Sequence, residues 1–242
     1  MKTKLTLFVA VLAVALFGMG CASTLDEGLV AYYPFNGDAN DATGNKLHGF
    51  LEGPTPTANR FGKPNQAIAF DGKDDGVSLP NQLFNKLDAF TYSTWLNLDI
   101  SDKSQTILSL ANKNEQNALT ILLEDAKFRL WFRQEVRASL SVSPVSFVKQ
   151  WKQIVVTRGA SSATFKVYIN GVQKSNLTFS KNVAVVVDPR GAWLGQEQDS
   201  VGGGFEVRQA FHGSMDDVRI YNRALSGAEV KSLYDLEKPK GK

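Results

Sequence analysis

Along most of this chain apolar residues recur at every second position, in short runs cut off by Gly, Asn, Asp or Pro. In Trp151-Lys-Gln-Ile-Val-Val-Thr-Arg158, Ile154 and Val156 share one face. In Thr164–Ile169, Phe165, Val167 and Ile169 lie opposite Lys166 and Tyr168. A period of two puts alternate side chains on opposite faces of an extended chain, which is the pattern of a half-buried strand. Asn170-Gly171 separates two such runs, and both residues tolerate the positive φ of a type I′ turn, so Thr164–Leu177 is expected to be a hairpin. The same reading predicts strands at 29–33, 66–70, 76–79, 90–98, 105–111, 118–123, 127–133, 137–142, 152–158, 191–194, 208–212 and 215–221. Many short strands with frequent turn signals point to an antiparallel sandwich, jelly roll or barrel.

One helix is expected, at the end. Ser226-Gly-Ala-Glu229 is a capping box, and Val230, Leu233 and Tyr234 follow on one helical face. Pro239 forbids much extension. Gly202-Gly203-Gly204 reads as a mobile loop.

The first twenty residues have a different character. Lys2 and Lys4 precede an apolar run from Leu5 to Phe17, then come Gly18, Gly20 and Cys21. This is the layout of a secretory signal peptide, and the run is short of the about 20 residues a permanent span needs. Cys21, the single cysteine, resembles the lipidated first residue of a mature bacterial lipoprotein, although Gly18 stands where a lipobox has Leu. Cleavage after Ala22 is the competing reading. Ala22, rather than Asp, follows the cysteine, which by resemblance to Gram-negative lipoproteins favours the outer membrane, with a secreted form as the alternative. The predicted organisation is a signal peptide at 1–20, a lipidated linker at 21–27, one domain at 28–236 and a basic tail at 237–242. Without the leader lysines, 25 basic face 24 acidic residues, which argues against nucleic acid as a partner. One cysteine excludes a disulfide framework.

Five segments in order resemble a laminin G-like/pentraxin-type domain of the concanavalin A-like superfamily. They are Gly28–Asn45 with His48-Gly49, Ala69-Phe-Asp-Gly72, Phe90-Thr-Tyr-Ser-Thr-Trp95, Val167-Tyr-Ile-Asn-Gly171 and Phe211–Ser226 leading into Glu229. The resemblance covers about residues 28–235. It implies an all-β fold, a two-sheet antiparallel jelly-roll sandwich with paired terminal strands and one short C-terminal helix. It does not fix function, because this fold hosts lectins, adhesion modules, enzymes and structural domains.

Asn36-Gly-Asp-Ala-Asn-Asp-Ala-Thr-Gly-Asn45 gathers hard oxygen donors of the kind Ca²⁺ takes. Strand parity in Met215–Tyr221 places Asp216 inward with Val218 and Ile220, where a carboxylate needs a partner or a metal. The family resemblance implies a structural Ca²⁺ between the opening loop and the last strand. It nominates Asp41 and Asp216, with Asp38 and Asn45 as further ligands. The alternative is that Asp38, Asp41 and Asn45 organise Asx turns while Asp216 bonds backbone or an arginine.

Catalytic signatures are sparse. Glycoside hydrolysis usually needs two placed carboxyl groups. Glu197 and Asp199 are the nearest approach, but no second Glu follows and a glycine run does, so the stretch reads as a solvated loop. His48 and His212 read as structural hydrogen-bonders. No His-Glu-x-x-His, Gly-x-Ser-x-Gly or P-loop motif is present. Trp95 and Trp151 read as core, whereas Arg129, Trp131 and Arg133 alternate along one strand and nominate a cationic-aromatic contact surface. The chain is therefore expected to be a non-enzymatic, calcium-stabilised, envelope-anchored module contacting carbohydrate or a surface protein. A structural or assembly component without sugar binding is the alternative, and a hydrolase the remote one.

Overall fold

A computed structural model describes residues 25–124, 127–133, 135–141 and 144–240. The predicted signal peptide, Cys21 and the start of the linker lie outside the described residues. The strands are β1 (Leu29–Tyr33), β2 (Phe50–Glu52), β3 (Thr55–Thr57), β4 (Ala67–Asp71), β5 (Gly76–Ser78), β6 (Phe90–Leu98), β7 (Gln105–Asn112), β8 (Glu115–Glu124) and β9 (Lys127–Phe132). They continue as β10 (Glu135–Ser141), β11 (Lys152–Arg158), β12 (Thr164–Ile169), β13 (Val172–Thr178), β14 (Ala192–Leu194), β15 (Gln198–Ser200), β16 (Gly203–Phe205) and β17 (His212–Tyr221), followed by helix α1 (Gly227–Glu237).

Two antiparallel sheets form the sandwich. The first runs β13-β12-β11-β6-β17-β4-β3, with β1 also pairing β17; the second runs β10-β9-β8-β7-β14-β5-β2. Alternation decides what each face does. In the second sheet the register row Leu130, Ile121, Leu108, Leu194, Val77 faces inward, and all five residues belong to the central core. From the first sheet, Phe90, Tyr92, Leu96, Ile154, Val156, Phe165, Val167, Met215, Val218 and Ile220 face them. Asn170 and Gly171 both take positive φ at the β12–β13 turn, as a type I′ turn requires. A Cβ on Gly171 would lie 3.0 Å from the Tyr234 Cβ, so the tight turn also makes room for the helix.

The helix covers the outer face of the first sheet. Val155, Tyr168 and Tyr221 from the strands pack there with Leu225, Val230 and Leu233 in a second, smaller core. Trp95 belongs to this layer rather than to the sandwich core, and its ring stacks on Tyr234 at 5.8 Å. Trp151 is half-buried and precedes β11 instead of lying in the core. The capping box forms as expected: the Glu229 N–H donates to the Ser226 hydroxyl, and the Ser226 N–H donates to the Glu229 carboxylate.

Three sequence expectations change. The strand expected at 208–212 is absent, since residues 207–209 form a 3-10 turn, and the last strand, expected from Met215, already starts at His212. Gly202–Gly204 is not a free loop but turns the β15–β16 hairpin. In β17 the parity argument fails, because register shifts between Asp216 and Arg219 and Asp217 takes φ +48. Asp216 pairs with Trp95, Arg219 with Ser93 and Ile220 with Tyr92, so one extra residue sits in the strand as a bulge. Asp216 is thereby turned away from Val218 and Ile220, onto the helix-covered outer face.

Candidate functional site

The opening loop is built around Asp41. Its carboxylate accepts the Tyr32 N–H at 3.1 Å, the Thr43 N–H at 3.0 Å, the Thr43 hydroxyl at 2.8 and 2.9 Å, and the Leu47 N–H at 3.2 Å. Burial disfavours its charge, but these donors outweigh that and hold the Asp41 pKa below the ordinary range. Asp38 is exposed and turns back on Asn40. The Asn45 amide donates to the Val30 carbonyl at 2.9 Å. His48 accepts the Asp41 N–H through Nδ1 at 3.1 Å.

Asp216 has a different partner. Arg60, in the segment after β3, sends Nη1 to Asp216, Nη2 to Asp217 at 2.5 Å, and Nε to the Glu237 carbonyl at 2.7 Å. Its side chain is 4% exposed, between the rings of Phe61 and Trp95 at 4.5 and 4.9 Å. Asp217 also accepts the Tyr32 hydroxyl. The Glu237 carboxylate accepts from Arg219 at 2.6 Å, Trp95 Nε1 at 2.8 Å and Gln153 Nε2 at 3.0 Å.

This arrangement does not suit the Ca²⁺ nominated between loop and strand. N–H and O–H donors surround the Asp41 oxygens, and a guanidinium already lies against Asp216. Both present positive charge where a cation would have to bind. The four nominated ligands therefore form a hydrogen-bonded Asx-type loop (Asp38, Asp41, Asn45) and an arginine-paired carboxylate (Asp216), rather than one coordination shell.

The outer face of the second sheet carries the other group. A single register row crosses it: Val136, Trp131, Thr120, Ser109, Trp193, Ser78, Phe50. The β15–β16 hairpin lies on the middle of this row. Gln198 Nε2 donates to the Ser109 carbonyl at 3.2 Å, and Trp193 packs on Phe205 at 4.9 Å. Just before the hairpin, Glu197 is 3% exposed, and its Oε2 has no hydrogen-bond partner among the described residues. Burial, then the charges of Asp199 and Glu206, push its pKa up to about 7. An exposed arginine, Arg208, reaches Glu206 at 3.2 Å. Beside it opens a polar recess lined by Ser101, Lys103, Glu124, Arg208 and Gln209.

Arg129 and Trp131 do share an outward face, since Phe128, Leu130 and Phe132 around them are buried, whereas Arg133 follows the strand in a turn at φ +49 and is not placed by its alternation. The arginines are not free cations, however: Arg129 pairs with Glu124 at 2.9 Å and Arg133 with Glu115 at 2.7 Å. What the stripe offers is the half-buried Trp131, whose indole N–H lacks a partner among the described residues.

A family model, Laminin_G_3 of the Concanavalin A-like lectin/glucanases superfamily, matches residues 71–231. The chain belongs to this laminin G-like family. It is similar to Female protein of Nothocricetulus migratorius, at 29% identity over 170 residues, 68% of this chain and 70% of that one. With neuronal pentraxin-1 of Rattus norvegicus it shares 32% identity over 151 residues, 60% of this chain but only 33% of the relative's length. Its fold resembles domain 4 of AbnA, a GH43 extracellular arabinanase from Geobacillus stearothermophilus, in complex with arabinotriose. The TM-score is 0.65 at 23% identity, covering 85% of this chain and 98% of that domain.

Within the laminin G-like frame, Glu197 is the residue that sequence reasoning misjudged. A carboxylate beside three glycines reads as solvated. The available signal was the unbroken polar run Gln196-Glu-Gln-Asp199, one glycine after the apolar strand Ala192–Leu194, a place where the chain is still packed on the sheet. Asp71, Asp74 and Asp75 bring carboxylate oxygens within 4.8 Å of one another. They are mostly exposed and already engaged, with the Asp71 N–H on Asp75, the Lys73 N–H on Asp71 and the Lys73 amine 3.5 Å from Asp71.

Proposed function

We propose that this lectin-like domain is a non-catalytic, envelope-anchored binding module that contacts carbohydrate or a surface protein through the outer face of its second sheet. The observation that carries the reading is the buried, unpartnered Glu197 oxygen, which feels the charges of Asp199 and Glu206, the latter paired with Arg208 at the rim of an open polar recess. The orphaned Glu197 oxygen and the carboxylates of Asp199 and Glu206 are hard oxygen donors of the kind a divalent cation takes, though their oxygens do not all lie within 4.8 Å of one another and an ion would have to draw them together. Glu197, Asp199 and Glu206 would hold Ca²⁺ there, with Arg208, nine-tenths exposed, free to swing off Glu206. The bound ion would supply a positive centre for ligand oxygens. Trp131 would supply an aromatic face on which a sugar ring stacks, and the recess lined by Arg208 and Gln209 would give polar neighbours. For catalysis, Glu197 and Asp199 are poorly matched partners, one buried and the other exposed.

The reading is tested by titrating CaCl₂ into the full chain and into Glu197→Gln, and then probing glycan arrays with each protein, with and without calcium. Calcium is expected to raise the melting temperature of the wild type by several degrees and to leave Glu197→Gln unmoved. Glycan retention should require calcium and fall with Trp131→Ala. Equal melting curves with calcium and chelator would overturn the metal site. Calcium binding with no retention on any array would favour a protein ligand over a saccharide.

A further inference from the structure

The meeting point of the opening segment, the last strand and the C-terminal helix already contains a cation, supplied by the chain itself. Arg60 reaches it from a segment more than 150 residues away in sequence from both aspartates. All three guanidinium nitrogens are used, on acceptors from two elements: the Asp216 and Asp217 carboxylates of β17, and the backbone carbonyl of Glu237 at the end of α1. The β17 bulge is what brings two successive carboxylates to one guanidinium, because residues at adjacent positions of a regular strand point to opposite faces. The planar fork then bridges them as a bound ion would, with the aromatic rings of Phe61 and Trp95 on its two neighbours' sides.

Charge makes the arginine indispensable at this place. Asp216, Asp217 and Glu237 are buried carboxyls, and Arg60 and Arg219 are the guanidiniums that contact them. Without Arg60, three carboxyls would face one guanidinium. Tyr32 and Tyr221 lie near the same charges, and Lys63 lines the recess with Asp216 and Asp217 but is itself exposed.

We infer that Arg60 is the resident cation of this junction, taking the part a structural metal would play, so that the closure of the chain ends onto one another is independent of divalent ions. Any calcium response of the protein then arises away from this junction, at the proposed Glu197 site or at the Asp71, Asp74 and Asp75 cluster. The inference stands apart from the proposed calcium site and is tested with that site removed.

The experiment uses the full chain carrying Glu197→Gln, melted in 5 mM CaCl₂ and in chelator, alone and combined with Arg60→Ala. The Glu197→Gln protein is expected to melt at the same temperature in both buffers. Adding Arg60→Ala should lower its melting temperature by roughly 10 °C, the scale expected for uncovering buried charge. Part of that loss should return with millimolar methylguanidinium or calcium, which can enter the vacated space between Asp216 and Asp217. A chelator-dependent drop in the Glu197→Gln protein, abolished by Asp216→Asn, would overturn the inference, as would an Arg60→Ala protein as stable as its parent. If Arg60→Ala does not fold, terbium luminescence decides on the Glu197→Gln protein alone. Trp95 lies beside Arg60, so a terbium ion bound there would be sensitised. No sensitised emission is expected; emission that disappears in Asp216→Asn would refute the assignment.

Discussion

At the scale of single residues, the decisive facts are conformational and leave little trace in the sequence. Asp217 adopts a left-handed backbone, and that one φ angle moves Asp216 from the core-facing set to the outer face. Inward positions switch from odd to even across the bulge, from Met215 to Val218 and Ile220, and extending the even set backwards is what wrongly puts Asp216 inside. Arg60 lay between two predicted strands in a stretch with no periodicity, and nothing local pairs it with residues so far along the chain. The role of Asp41 was more legible, because Asn, Asp and Gly in close succession signal Asx turns. Asp41→Ala should strand the Tyr32, Thr43 and Leu47 donors and cost about 2–4 kcal/mol in denaturant unfolding, since unsatisfied buried donors cost about 1–3 kcal/mol each. The lowered Asp41 pKa sets the sign with pH: its contribution is present above the ordinary aspartate range and is lost as pH falls through the depressed value. An Asp41→Ala protein as stable as the wild type at pH 7 would contradict this account.

At the scale of elements, cleanly alternating strands and the capped helix were readable, because their stabilising interactions are local or face one core. β1, β6, β11 and β12 begin and end where the pattern places them. β2 and β3 were not foreseen: three residues each are too few to show a period, and Pro56 argues against a strand except at an edge, which is where β3 lies. The β15–β16 hairpin escaped for a related reason, its stability coming from packing on Trp193 and Ser109 rather than from its own glycine-rich sequence. The helix start is held by its own residues. Ser226→Ala removes the acceptor for the Glu229 N–H and should cost about 1 kcal/mol, read from urea unfolding. Hydrogen bonding from Arg223, in spite of burial, takes the Glu229 carboxyl down to about 2. The support it gives α1 is thus complete above the ordinary glutamate range and is lost as pH falls towards 2. A Ser226→Ala chain with an unchanged urea midpoint would show that packing under α1, not its cap, fixes the helix.

At the scale of the molecule, the two-sheet sandwich and family follow from pattern and motif order, and the structure supports both. The binding face was legible only in part. Trp131 could be placed outward by parity, but the ion pairs that neutralise Arg129 and Arg133 come from neighbouring strand positions, Glu124 and Glu115, which only tertiary register brings close. The proposed anchoring rests on the N-terminal sequence alone. In a bacterial host, Cys21→Ser is expected to abolish incorporation of labelled fatty acid and to shift the protein from the detergent to the aqueous phase. Equal labelling of both forms would rule out Cys21 as the anchor point.

The placement of β17 carries a consequence for biogenesis. It is the last strand made, yet it lies between β6 and β4 and also holds β1, the first strand made. A nascent chain that has not yet released β17 is left with β13-β12-β11-β6 and β4-β3 as two fragments with open edges, and with its opening strand unpartnered. Completion of the first sheet must wait until β17 has left the ribosome. Until then the edges of β6 and β4 stay open and β1 has nothing to hold it, so a truncation before His212 would cost the first sheet as a unit rather than one strand of it.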